Sequence, residues 1–248
     1  MASSNPAMNV SVYERAGYVD VSSSAMTLGG TVIKTGILLI ILLVAAGITW
    51  TLVEQGSAEA AYAAMIAGAI GGLIMAMITI FIPRCAPVTS PIYSALEGLF
   101  LGGVSAVIEM RFPGIALQAL GLTAGVLAIM LTVYGTGIIR VTQKFVIGVV
   151  AATGAIFLVY VVSAVASLFG GNLPYIHDAG PIGIIFSLVV VVVAALNLIL
   201  DFDFIERGVR SQAPKYMEWY GGFSLLVTLV WMYMEILRLL SKIRGSRG

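Results

Sequence analysis

Charge is scarce in this sequence: 13 Lys or Arg and 12 Asp or Glu among 248 residues, or 10%, where an ordinary soluble domain carries about 25%. A net charge of +1, with its basic residues scattered between apolar runs, makes no field for nucleic acid. Histidine occurs once, as His177 in the loop Tyr175-Ile176-His177-Asp178, so no histidine cluster exists to hold a catalytic zinc. The same loop position is wrong for a serine–histidine dyad inside a bundle. The last apolar run has Trp231-Met232-Tyr233-Met234-Glu235 at its middle, where a retinal-binding protein would need lysine. No enzyme activity and no cofactor are therefore expected. Cys85 is the only cysteine, which excludes an internal disulfide and leaves an unpaired thiol. No repeat of fixed period is visible, so an inverted-repeat transporter is not suggested.

What is abundant is oil. Hydrophobic residues make up 60% of the chain, more than an aqueous fold hides. In lipid every backbone amide must be paired internally, which leaves closed barrels or helices. The apolar runs are about twice the length of a barrel strand and lack its alternation, so helices are expected. Seven runs are long enough to span: Val32 to Val53, Ala60 to Ile82, Ile92 to Ile108, Ile115 to Tyr134, Phe145 to Phe169, Ile182 to Leu200, and Phe223 to Leu240. Residues 1–30 read as a polar tail without the basic-then-apolar onset of a signal peptide, residues 31–244 as one seven-helix membrane domain, and residues 245–248 as a short terminal tail.

The links are short and rich in turn chemistry, as in Glu54-Gln55-Gly56-Ser57 and Arg111-Phe112-Pro113-Gly114, so consecutive helices should be antiparallel neighbours. Small residues four apart, Gly68 with Gly72, Gly98 with Gly102 and Gly121 with Gly125, predict close approach of helices two, three and four. Lys and Arg in the short loops favour an inside amino terminus. The basic end Arg238, Lys242, Arg244 and Arg247 conflicts with that after seven full crossings, unless the last helix is re-entrant or the earlier loops outvote it.

The acids within these runs are the default site, because a carboxylate at the bilayer centre costs about 2.5 kcal/mol or more unless it faces a cavity or a partner. They are Glu97, Asp201, Asp203 and Glu235. Asp201 and Asp203 are two residues apart, about 200° around a helix, so only one can face the bundle. Asp203 and Glu206, close to Arg207 and Arg210, read as an interfacial charge cluster; Glu97 reads as a structural acid near the start of its helix, and Glu109 as a loop-edge charge beside Arg111. Should helix six continue to about Val209, Asp201 enters the membrane and can meet Glu235. Two such carboxyls side by side in a dry place would compete for one proton and titrate as a coupled pair. Deprotonated, they offer up to about four hard oxygens, against the six to eight that calcium takes, so they would hold calcium weakly and partly hydrated. That suits permeation better than storage.

At these residues the sequence resembles the transmembrane Bax inhibitor motif family, the Bax inhibitor-1-like proteins, and within it the bacterial branch. The resemblance rests on Ala95-Leu96-Glu97-Gly98-Leu99-Phe100-Leu101-Gly102, on Leu200-Asp201-Phe202-Asp203-Phe204-Ile205 and on Met232-Tyr233-Met234-Glu235-Ile236-Leu237. It implies an all-α bundle of seven transmembrane helices around a central last helix, acting as a pH-sensitive calcium leak pathway in a bacterial inner membrane. It further implies that an aspartate late in helix six and an acid in helix seven form the sensor, here Asp201 and Glu235, with a basic residue near helix two, here Arg84, as latch. Helix seven of the family commonly carries aspartate where this chain has Glu235. The 34 positions between Asp201 and Glu235 would set the two at different depths in a symmetric hairpin, unless part of Ala213 to Tyr220 forms an interfacial helix of its own. The rival expectations are a non-conducting regulator that binds a membrane protease or another membrane protein, and a proton-coupled secondary transporter.

Overall fold

The computed structural model describes residues 25–169 and 180–246, apart from the Leu168 side chain. These form seven helices, each long and apolar enough to cross a membrane: α1 Leu28–Glu54, α2 Ala58–Phe81, α3 Ala86–Arg111, α4 Ile115–Gly135, α5 Gln143–Leu168, α6 Pro181–Arg210 and α7 Met217–Gly245. The chain is a multi-pass integral membrane protein. His177, read from the sequence as a loop residue, lies outside the described residues.

Helix ends are set by local chemistry. The Thr27 and Thr142 side chains accept from Gly30 N and Phe145 N, capping α1 and α5, and Pro181 opens α6, where its missing N–H is not needed. Pro83–Cys85 form a single 3-10 turn that leads directly into α3. Helix three therefore begins at Ala86 rather than Ile92, and Glu97 sits near its middle rather than its start. Residues 211–216 link α6 to α7, and Met217–Tyr220 belong to α7, so no separate interfacial helix intervenes. Gln212, at φ 52°, is the one non-glycine with positive φ among the described residues and reverses the chain there.

Helix α7 is the hub. It packs on α6, α1, α4 and α3, whereas α5 packs mainly on α6. It is a single continuous helix of 29 residues and not re-entrant, so the start of α1 and the end of α7 lie on opposite sides of the bundle. The basic residues at its end are engaged rather than free to compete for the inside: Arg238 pairs with Glu235, Lys242 Nζ donates to Gly183 O and Ser187 Oγ, and Arg244 donates to Pro113 O and Gln118 Oε1. The residues just before α1, assigned to the polar tail from sequence, are built in. Met26 is buried and its N–H donates to Ala213 O, while Glu218 of α7 accepts from Thr27 N and Oγ1 at 3.0 and 2.8 Å.

Lipid tails are as apolar as leucine, so burial of oil does not hold these helices together; close packing and internal hydrogen bonds must. A Cβ on Gly98 would lie 2.3 Å from Leu42 O, one on Gly102 2.1 Å from Ala46 O, and one on Gly68 2.5 Å from Leu96 O. Three backbones thus touch along α1–α3 and α2–α3. Gly121 and Gly125 behave otherwise, with nothing within 4 Å of an added Cβ, so the expected close approach on helix four does not occur. We expect Gly102→Val to lower the unfolding midpoint in detergent strongly, since forced overpacking costs about 1–3 kcal/mol or more, and Gly121→Ala to leave it unchanged. Equal midpoints for the two variants would contradict the packing described.

Candidate functional site

Asp201 lies on the face of α6 turned to α7, 8% exposed. Its Oδ1 accepts from Ser224 Oγ at 2.6 Å, Thr228 one turn further faces the same carboxylate, and Oδ2 is buried without a hydrogen-bond partner among the described residues. Glu235 is 2% exposed on α7, and its Oε1 accepts from Tyr160 OH of α5 and from Arg238 Nη1, both at 2.8 Å, while Oε2 has no partner among the described residues. Arg238 also donates to Tyr160 OH and lies over its ring.

The side-by-side pair of Asp201 and Glu235 expected from sequence is not formed. Ser224, the contact of Asp201, and Glu235 are eleven residues apart on one helix, about 16 Å at 1.5 Å per residue. The hairpin is symmetric about the turn at Gln212, so the two acids occupy different depths. No shared proton and no shared calcium site joins them. The helix-seven mate of Asp201 is a hydroxyl.

The two acids nevertheless belong to one arrangement. Ser224, Thr228, Trp231 and Glu235 recur at intervals of three and four, which puts them on one side of α7, facing α6 and α5. Along that side polar groups follow one another. Asp201, Ser224 and Thr228 come first. Asn197 Nδ2 of α6 then donates to Thr153 Oγ1 of α5 at 2.8 Å, and further along lie Tyr160, Glu235 and Arg238, followed by Lys242 with Ser187 and the Gly183 carbonyl. The row is broken once. From Thr153 to Tyr160, from Asn197 to Val190 and from Thr228 to Glu235 is seven residues on each helix, about 10 Å, and Ile156, Val190, Val193 and Trp231 fill that interval.

The other candidates lie elsewhere. Asp203 pairs with Arg207, while Glu206 pairs with Arg210 and accepts from Tyr134 OH, so these charges form a cluster at the end of α6. Glu97 rests in the notch left by Gly72 on the α2–α3 seam, away from the row. Arg84 is exposed in the 3-10 turn and makes no ion pair among the described residues, so the latch contact is not present. Glu109 is not a loop-edge charge: its carboxylate accepts from Gly114 N and from Ala116 N, the latter at 2.9 Å, and so caps α4. Among the described residues no three His, Cys, Asp or Glu side chains gather as a metal site. Ser224, Asn197 and Tyr160 carry the site but escape sequence reading, because a hydroxyl or amide in an apolar run announces a hydrogen bond without naming its partner.

A family model described as Bax inhibitor 1 like matches residues 5–245, nearly the whole chain. The chain belongs to the Bax inhibitor 1 like family. No match was found among curated proteins or among solved structures. In this Bax inhibitor 1 like protein the acid of α6 therefore meets α7 through serine, and the acid of α7 is tied to α5. Ser224→Ala removes the 2.6 Å bond to the buried Asp201 carboxylate, leaving Thr228 as its neighbour on α7, and is expected to destabilise by about 1–3 kcal/mol. Adding Asp201→Asn should return part of that loss, giving a non-additive cycle in detergent unfolding; strict additivity would deny the contact.

Proposed function

We propose that this protein is a calcium leak pathway of the membrane, its route the α5–α6–α7 interface and its pH response seated at Asp201. The observation that carries the reading is the polar row along one side of α7, interrupted at a single apolar layer. Polar side chains inside a span are costly and mark ion or proton paths by default. A layer of Ile156, Val190, Val193 and Trp231 between two polar stretches has the make-up of a hydrophobic constriction, which closes a pore by excluding water. Asp201 with the Ser224 and Thr228 hydroxyls offers hard oxygens to calcium, and since calcium takes about six to eight, the rest would come from water. Such an ion is held loosely enough to leave. A bacterial inner membrane is the location that goes with this reading.

With the acids in series rather than paired, their roles separate. Glu235 already has a cation, Arg238, at 2.8 Å, whereas Asp201 has none among the described residues and is in this reading the group whose charge protonation would change. In calcium-loaded proteoliposomes, Asp201→Asn is expected to slow the leak and flatten its pH profile, and Glu235→Gln to change its size but keep its pH dependence. A flattened profile in both variants would restore a coupled pair. Val193→Ser should raise the leak several-fold at fixed pH by wetting the layer; an unchanged leak there, with wild-type flux present, would move the route away from these helices.

A second reading is favoured by α5, whose surface is exposed almost everywhere except toward α6. In that reading the protein does not conduct and α5 docks another membrane protein, a membrane protease among the candidates. Purified protein without calcium flux, crosslinking to such a partner through Phe157 or Val161, would support it over the channel.

A further inference from the structure

On the opposite side of α7 from the polar row lies a cavity of about 480 Å³ between α1 and α4, floored by α3 and α7. Its α7 residues are Leu226, Leu229, Val230 and Tyr233, about half a turn around from Ser224, Thr228 and Glu235. The volume falls within the range of small-ligand sites, about 300–1,000 Å³. The groove exists because α1 and α4 have at most a marginal contact, and it opens sideways between the spans.

We infer that this groove holds one acyl chain of a membrane lipid. Four observations select that occupant. The lining is apolar but for three hydroxyls that donate within the protein, Ser105 Oγ and Tyr233 OH bonded to one another at 2.7 Å and Thr123 Oγ1 to Ala119 O at 2.8 Å, so it offers little to a hydrated ion or a polar ligand. The groove runs from Leu39 to Trp50 on α1 and from Ala116 to Leu127 on α4, eleven rises each, about 16 Å, which is close to half of the roughly 30 Å hydrocarbon core and so to one leaflet. Its outer wall is continuous with the exposed apolar surface of both helices, as at Ile40, Val44, Leu122 and Ile129, so the bilayer itself is what meets the opening. Trp50 stands at the end nearest the α1 C-terminus, with Nε1 donating to Glu54, the position of an interfacial aromatic. The chain therefore belongs to a lipid of the leaflet on that side, its headgroup beyond Trp50 and its methyl end near Leu39.

Gly47 supplies the probe. It lines the groove, and a Cβ there meets nothing within 4 Å, so a large side chain can occupy the groove without moving the backbone. The experiment reconstitutes the full chain with a trace phospholipid bearing a diazirine near the middle of one acyl chain and maps crosslinks by mass spectrometry. Labelling of Leu43, Leu120 and Ala124 is expected to exceed that of the freely exposed α5 residues Phe157 and Leu158 several-fold. Gly47→Phe should bring the groove down to the α5 level and leave α5 unchanged. Groove labelling no greater than on α5 in the wild-type protein overturns the inference, as does undiminished labelling in a folded Gly47→Phe variant. Leu120→Trp, entering from the α4 wall, repeats the test where Gly47→Phe fails to fold. Protein–protein crosslinks from a Gly47→Cys, Cys85→Ser variant to a second copy or another protein would give the groove a different occupant and also overturn it.

Discussion

The register of the α6–α7 hairpin decides which polar groups meet in this bundle. Asp201 and Ser224 lie eleven and twelve residues from Gln212, and Gly183 and Lys242 lie 29 and 30 residues from it. Both pairs are in contact, so one register holds from the turn to the far end of the hairpin, about 40 Å away at 1.5 Å per residue. The turn is short and closed by a residue in the left-handed region, which leaves little freedom to slip. A slip of one residue would rotate every α7 side chain by about 100° and take Asp201 from Ser224, Glu235 from Tyr160 and Lys242 from Ser187 and the Gly183 carbonyl together. In lipid, where oil against oil gives no preference between registers, those polar contacts are what make one register better than its neighbours.

This constraint also separates what could be read from the sequence from what could not. Apolar runs revealed the seven spans because an uncharged run of about 20 residues matches the thickness of a bilayer and little else. Their polar ends were hidden. Asp201–Arg210 and Met217–Gly222 continue α6 and α7 but read as loop by hydropathy. The depth difference between Asp201 and Glu235 was visible in their 34-residue separation once the hairpin was taken as symmetric. That Ser224 faces Asp201 was not, since it depends on where the turn closes. Glu235 and Arg238, three apart, carried a readable ion pair that the basic character of the terminus obscured. Gly121 and Gly125 show the limit of small-residue spacing: the pattern permits close approach, and only the neighbour's presence produces it. Glu109 shows the same for acids, as its role came from the helix start five residues later rather than from Arg111 beside it.

The carboxylate cap of α1 joins the two ends of the fold. Glu218 is fully buried, accepts from Thr27 N and Oγ1, and pairs with Lys215 at 2.8 Å. A negative charge at a helix N-terminus is favoured by the amides and the dipole there, and Gly30 leaves the space that the carboxylate fills. With Met26 N bonded to Ala213 O, the start of α1 is fastened across the hairpin turn, so the turn that sets the register is itself braced by the first span.

Bracing is uneven around α7, and this bears on which helix could move. Helices α1 and α3 are locked to each other by backbone contact at Gly98 and Gly102, and α1 is further pinned by Glu218. Helix α4 is tied to α6 through Tyr134 and to the end of α7 through Gln118. Helix α5 packs mainly on α6, and is held there by the Asn197–Thr153 bond and the Tyr160 link to Glu235 and Arg238. Few buried contacts go with a low free energy of local opening, which makes α5 the most lightly held of the helices around α7. Its departure would expose the apolar layer of Ile156, Val190, Val193 and Trp231 along one side and join the two polar stretches through water. The groove on the other face of α7 would stay intact, because none of its walls belongs to α5. One helix thus has an apolar groove on one side and a polar row on the other.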